Sequence, residues 1–122
     1  MSWDASLVDD CGDDIGCCEW NYTHNTNGMI SAVLENAGYE LESHWLIGHM
    51  GKSWFKVLNG LDGQKGAELL TLIIDGLEAD PERFEAMNPA NGWGSYDTLL
   101  PILKKMLAAS IEHPTGKWSV RG

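Results

Sequence analysis

Residues 61–80 read LDGQKGAELLTLIIDGLEAD. Leu69, Leu70, Leu72, Ile73, Ile74 and Leu77 recur at helical spacing and make a broad apolar face. A face that wide predicts a helix largely surrounded by protein. Gly63 marks its start and Asp80-Pro81 its end. Pro81 suits the first turn of a further short helix, PERFEAM, with Asp80 as its cap.

Downstream, NPANGWGSYD (residues 88–97) has the composition of a loop. A helix is expected over residues 97–112. Asp97 would cap it, which keeps Pro101 in the first turn or just past it, where a missing N–H is tolerated. Leu99, Leu100, Leu103, Met106, Leu107 and Ile111 would form its inner face. His113-Pro114 stops it, and residues 116–121 (GKWSVR) read as a strand with Trp118 and Val120 inward.

Upstream, residues 2–8 (SWDASLV) alternate, with Trp3, Ala5 and Leu7 on one face and Ser2, Asp4 and Ser6 on the other. Residues 9–16 carry turn chemistry. Residues 18–24 alternate again, Cys18, Trp20, Tyr22 and His24 against Glu19, Asn21 and Thr23, so an antiparallel pair is expected. A helix over residues 27–37 follows, with Met29, Ile30, Val33, Leu34 and Ala37 on one stripe. Asn25 or Thr26 would cap it and Gly38 would close it. Residues 39–60 show no clear period. They read as a short helix or irregular structure around Trp45, Leu46, Trp54 and Phe55.

Strands followed by helices argue a single α+β domain over residues 1–122: a small antiparallel sheet of about three strands, with three to four helices on one face. Trp3, Trp20 and Trp118 would share the inner face of the sheet. That accounts for half of the six tryptophans as packing. Two open edges on such a sheet would suit homo-oligomerisation.

The chain has 122 residues, 43% hydrophobic and 21% charged, which fits a globular domain able to bury its own core. Its net charge of -10, 18 acids against 8 bases, excludes nonspecific binding to nucleic acid, because no Lys/Arg cluster exists to displace counterions. Lys104-Lys105 is the one adjacent basic pair. MSWDASLVDD has neither the basic nor the apolar region of a signal peptide, and no apolar run approaches a bilayer span. A soluble cytoplasmic protein is expected, without a membrane partner. Its three cysteines, Cys11, Cys17 and Cys18, would stay reduced, and the Asn21-Tyr22-Thr23 sequon unglycosylated.

Cys11, Cys17, Cys18 and His24 form C-x5-C-C-x5-H, but zinc sites favour C-x2-4-C pairs, and adjacent strand cysteines point to opposite faces. His44 and His49 would diverge on a helix. A Cys17 or Cys18 pair with His24 has nothing to orient it. G-x-S-x-G, P-loop and dinucleotide fingerprints are lacking. No catalytic residue, metal or cofactor is therefore assigned. Two helix starts suit an anion. Gly63, Gln64, Lys65 and Gly66 offer N–H groups, a helix dipole and a lysine, although a tight turn explains the same residues. NGWGS offers Asn91, Gly92 and a stacking ring, Trp93. At the end of the second strand, Asn21, Thr23 and Asn25 form a polar row that faces either a ligand or its own backbone.

The spacing Asn21-x-Thr23-x-Asn25 carries a resemblance. The chain is similar to a group of small uncharacterised phage and prophage proteins that open with W/Y-D-x-x-L and place N-x-T-x-N before a helix. Here SWDASLVDD and NYTHN stand in those places, followed by LDGQKGAELLTLIIDGLEAD, NPANGWGSYDTLLPIL and HPTGKWSV. Residues 39–58 have no counterpart, and His24 stands where an aromatic residue is common. The resemblance implies a viral or mobile-element context and no particular reaction. The positions it singles out are Asn21, Thr23, Asn25, Gly63, Lys65, Gly66, Asn91 and Gly92. The expected function is a non-enzymatic binding module in the host cytoplasm for a small polar or nucleotide-like anionic ligand, or for a host protein, in the service of counter-defence. The alternatives are an acidic nucleic-acid mimic that inhibits a host enzyme, and a Cys/His hydrolase.

Overall fold

The computed structural model describes residues 2–8, 14–23, 27–39, 54–88 and 94–121. The described elements run β1 (Ser2–Val8), β2 (Asp14–Thr23), α1 (Asn27–Asn36), α2 (Phe55–Leu58), α3 (Gly63–Ala79), α4 (Pro81–Glu85), α5 (Tyr96–Glu112) and β3 (Lys117–Arg121). Helices and an antiparallel sheet in one chain bear out the mixed α and β class. The described helices number five rather than three to four, because α2 adds a short turn of helix in the stretch that shows no clear period.

The strand order is β2-β1-β3. β1 sits in the middle because it pairs on both sides: Ala5 lies opposite Trp20 in β2 and Val120 in β3, and Leu7 lies opposite Trp118. Alternation sets the faces. Ala5, Leu7, Trp118 and Val120 are buried, whereas Asp4 and Lys117 are exposed. The side chains of Trp3 and Trp20 lie outside the described set, as does His24. β2 begins at Asp14, four residues before the expected start. Ser6 pairs with Glu19 and Val8 with Asp14, so the ladder resumes after a register shift in which β2 takes more residues than β1. Cys17 and Cys18 fall in that irregular part of the strand.

Of the two edges expected to be open, that of β3 is occupied. Gly60 N–H donates to the Trp118 carbonyl at 2.8 Å, and Trp118 N–H to the Leu61 carbonyl at 2.9 Å. Asn59 Oδ1 accepts from Val120 N–H at 2.9 Å. The segment ahead of α3 thus closes the sheet with its own chain.

α1 buries Met29, Ile30, Val33 and Leu34. It ends in a left-handed glycine cap. Tyr39 N–H bonds back to the Leu34 carbonyl at 3.0 Å and Gly38 N–H to Glu35 at 3.1 Å. Gly38 has φ of 101°, which glycine adopts without a Cβ penalty. Ala37, expected on the inner stripe, lies past this cap and is exposed. Asn25 and Thr26, the expected caps, lie outside the described residues.

α3 is amphipathic rather than surrounded. Gly66, Leu69, Leu70, Ile73, Ile74 and Leu77 are buried, while Gln64, Lys65, Glu68, Thr71, Leu72, Asp75 and Glu78 make one exposed stripe. Leu72, counted on the inner face from its apolarity, falls on the outer one. α3 packs along α5, and α1 crosses α3 where Gly76 meets Val33: a Cβ at Gly76 would run into the valine methyls.

α5 starts at Tyr96, one residue before expectation. Thr98 Oγ1 accepts from Ser95 N–H at 3.2 Å and Asn88 Oδ1 from Tyr96 N–H at 2.8 Å, so Asn88 and Ser95 cap it in place of Asp97. Pro101 consequently stands inside the helix, exposed, and deprives the Asp97 carbonyl of its intrahelical donor. The buried stripe is Leu99, Leu103, Met106 and Ser110. Ile111, one helical step of about 100° beyond Ser110, is 64% exposed against the expectation that it faces inward. Trp54, in the stretch without a readable period, is fully buried.

Candidate functional site

The start of α3 is one of the two helix starts expected to seat an anion, and its first N–H groups are already taken. Gly63 N–H donates to the Gly116 carbonyl at 2.8 Å and Gln64 N–H to Pro114 at 3.2 Å. Lys65 N–H donates to Asp62 Oδ1 at 2.7 Å, and Gly66 N–H to the Asp62 carbonyl at 2.8 Å. An anion there would have to displace a carboxylate cap and the turn before β3. The two glycines serve packing. A Cβ at Gly63 would strike the His113 carbonyl and lie 2.8 Å from Pro114 Cα. A Cβ at Gly66 would overlap the Trp118 indole, with Cδ1 2.5 Å away. Gly63 and Gly66 thus let α3 press against the 113–118 segment.

Lys65 points elsewhere. With Glu68, Leu69 and Leu72 of α3 it lines a groove of about 340 Å³ that Tyr39, Val57 and Leu61 complete. Each wall follows from a local feature already described. The Gly38 cap sets Tyr39 at the end of α1. α2 carries Val57. The hydrogen bond between Leu61 and β3 fixes the α2–α3 connection. The floor is aliphatic, from Val57, Leu61 and Leu69. The rim carries Tyr39 and Leu72, 39% and 37% exposed, together with one cation and one acid. Among the described residues, neither Lys65 nor Glu68 makes an ion pair. The volume falls in the range of small-molecule sites, about 300–1,000 Å³.

Asn21 lies opposite Asp4 and Thr23 opposite Ser2 near the end of β2, and their side chains lie outside the described set. Asn25, Asn91, Gly92 and Trp93 lie outside the described residues. Of the three groups read from the sequence, the α3 start is the one described in full, and within it Lys65 lines a groove.

No family model, no curated protein and no solved structure matches the chain. The groove is therefore read from its own chemistry. Sequence reasoning found Lys65 and missed Tyr39, Val57, Leu61, Glu68, Leu69 and Leu72 as its neighbours. One signal was present: Leu72 is an apolar residue on the register of Lys65, Glu68 and Asp75, the polar stripe of α3.

A smaller groove of about 250 Å³ lies between α1, α3 and α4, lined by Ala32, Val33, Asn36, Gly76, Arg83 and Phe84 among others. The Arg83 guanidinium there already sits over the Phe84 ring, 5.3 Å from its centroid. Tyr96 is buried where α3, α4 and α5 meet, stacks on Phe84 at 6.4 Å between centroids, and donates to the Leu77 carbonyl at 2.8 Å. Burial pushes its phenol pKa up, and the charges of Glu78, Glu85 and Asp97 push it further. Among the described residues no cluster of His, Cys, Asp or Glu could hold a metal, and no helix is long and apolar enough to cross a membrane.

Proposed function

We propose that this chain is a small non-enzymatic binding module, of the phage or prophage kind that its N-x-T-x-N spacing suggests, acting in the host cytoplasm. Its ligand seat is the groove between α1, α2 and α3. The observation that carries this reading is the exposed Lys65, without an ion pair among the described residues, beside an aliphatic floor and the Tyr39 ring. The ligand is a small molecule with an apolar or aromatic body and a negatively charged group at Lys65. The Asn21, Thr23 and Asn25 row of the sequence is proposed as a separate contact, for a polar ligand of its own or for a host protein. A thermal-shift screen with carboxylates, phosphates and nucleotides tests the reading, because a ligand that binds only the folded state raises the melting temperature. A stabilising anion whose effect disappears in Lys65→Met supports it. Equal stabilisation of wild type and variant refutes the groove as the seat.

The second reading, an acidic mimic of nucleic acid, draws on the convergence of Glu78, Glu85 and Asp97, from three helices, within electrostatic reach of Tyr96. Lys104 lies 3.4 Å from Glu78 and offsets part of that charge. Salt-sensitive capture of a nucleic-acid enzyme, lost on neutralising Glu85 and Asp97 together, would favour it over the groove.

A further inference from the structure

We infer that the groove recognises a zwitterion, an α-amino-acid-like molecule with an apolar side chain, rather than a simple anion; this rests on the groove being the ligand seat. The rim carries both signs. Lys65 and Glu68 stand three residues apart on α3 and line the same groove. Side chains at that spacing start about 5–6 Å apart, close enough to pair. Here they do not pair with each other or with any other described residue. Two opposite unpaired charges above an aliphatic floor complement a molecule with a carboxylate, an ammonium and an apolar body. The carboxylate meets Lys65, the ammonium meets Glu68, and the side chain lies on Val57, Leu61 and Leu69 against Tyr39.

Charge argues against a phosphate-rich ligand. The protein carries a net charge of -10, and Glu68 repels a polyanion inside the groove itself. A net-neutral zwitterion avoids both penalties.

The test is an amide-resolved NMR titration of the full chain with four probes: L-phenylalanine, its N-acetyl derivative, its amide, and AMP. L-phenylalanine should shift Tyr39, Leu61, Lys65 and Leu72. The N-acetyl compound lacks the ammonium and the amide lacks the carboxylate. Each should bind roughly tenfold more weakly, the scale of one charge-assisted hydrogen bond. Lys65→Glu and Glu68→Lys should each weaken binding, and the two together should restore it, a rescue that a merely structural role would not produce. Both residues are exposed, so melting curves should confirm that the variants fold. If either blocked compound binds as well as L-phenylalanine, the zwitterion inference fails. If AMP shifts the groove amides and L-phenylalanine does not, the inference fails while the groove stands. If no probe moves these amides, both the inference and the groove as ligand seat are overturned.

Discussion

The Trp118 indole N–H donates to Ser110 Oγ across 3.1 Å, and the same hydroxyl donates to the Gly63 carbonyl. Three elements, β3, α5 and α3, are tied by one buried hydroxyl. Ser110 is fully buried, and the relay satisfies the polar end of a ring that is otherwise packed in the core.

Ser110→Ala leaves the Trp118 N–H buried without its acceptor. The expected loss is about 1–3 kcal/mol, the cost of orphaning a buried donor. Urea unfolding followed by tryptophan fluorescence measures it. A loss no larger than that of an exposed control such as Ala108→Ser would remove the relay from the account.

Gly76→Ala pushes a methyl into Val33, where α1 crosses α3. A loss of about 1–3 kcal/mol is expected from overpacking, against a gain of up to about 1 kcal/mol if only helix propensity counted. Val33→Ala should recover part of it, so the pair should be non-additive in a double-mutant cycle. Additive losses would mean that the contact does not limit the approach of the helices.

Pro101→Ala should stabilise the protein. Pro101 is exposed and stands past the first turn of α5, where proline costs roughly 3 kcal/mol relative to alanine. Lost restriction of the unfolded chain offsets about 1 kcal/mol of that. A denaturation midpoint that falls would show that the bend at Pro101 is needed for packing.

Tyr96 makes stability depend on alkaline pH. Its folded pKa lies above the ordinary value of 10.0, first because it is buried and then because of Glu78, Glu85 and Asp97. Above pH 10 the unfolded state has released the phenolic proton while the folded state retains it, so stability falls as pH rises from about 10 through the folded pKa. Below about 10 this contribution is complete. Tyr96→Phe should flatten that dependence and remove the bond to Leu77, costing about 1 kcal/mol at neutral pH. An unchanged alkaline slope would point to another group.

Much of this architecture is legible in local patterns. Period-two alternation placed Ala5, Leu7, Trp118 and Val120 inward, and helical spacing placed Met29, Ile30, Leu99 and Leu103. Gly38 announced the end of α1. What was illegible depends on partners distant in sequence. A Gly-x-x-Gly helix start looks the same whether its glycines admit a phosphate or an indole. Trp118 and Ser110, which decide the matter, belong to later elements. Apolarity alone could not place Leu72 or Ile111, because each sits one helical step from a buried neighbour. α2 is a single turn of four residues, too short to show a period. The groove draws on the end of α1, on α2 and its connection, and on α3, so no single stretch of sequence contains it. The helix dipole points to Lys65 from the sequence, and the structure sets its side chain on the groove beside Tyr39 and Leu72.

The central claim is that Lys65 faces a ligand. The most direct measurement is amide-shift mapping of the full chain with a panel of small carboxylates, phosphates and amino acids, repeated on Lys65→Met. Shifts gathered at Tyr39, Val57, Leu61 and Leu72 in the wild type, and lost in the variant, are the predicted result. Shifts that gather instead near Asn21 and Thr23, or that persist without Lys65, would contradict it.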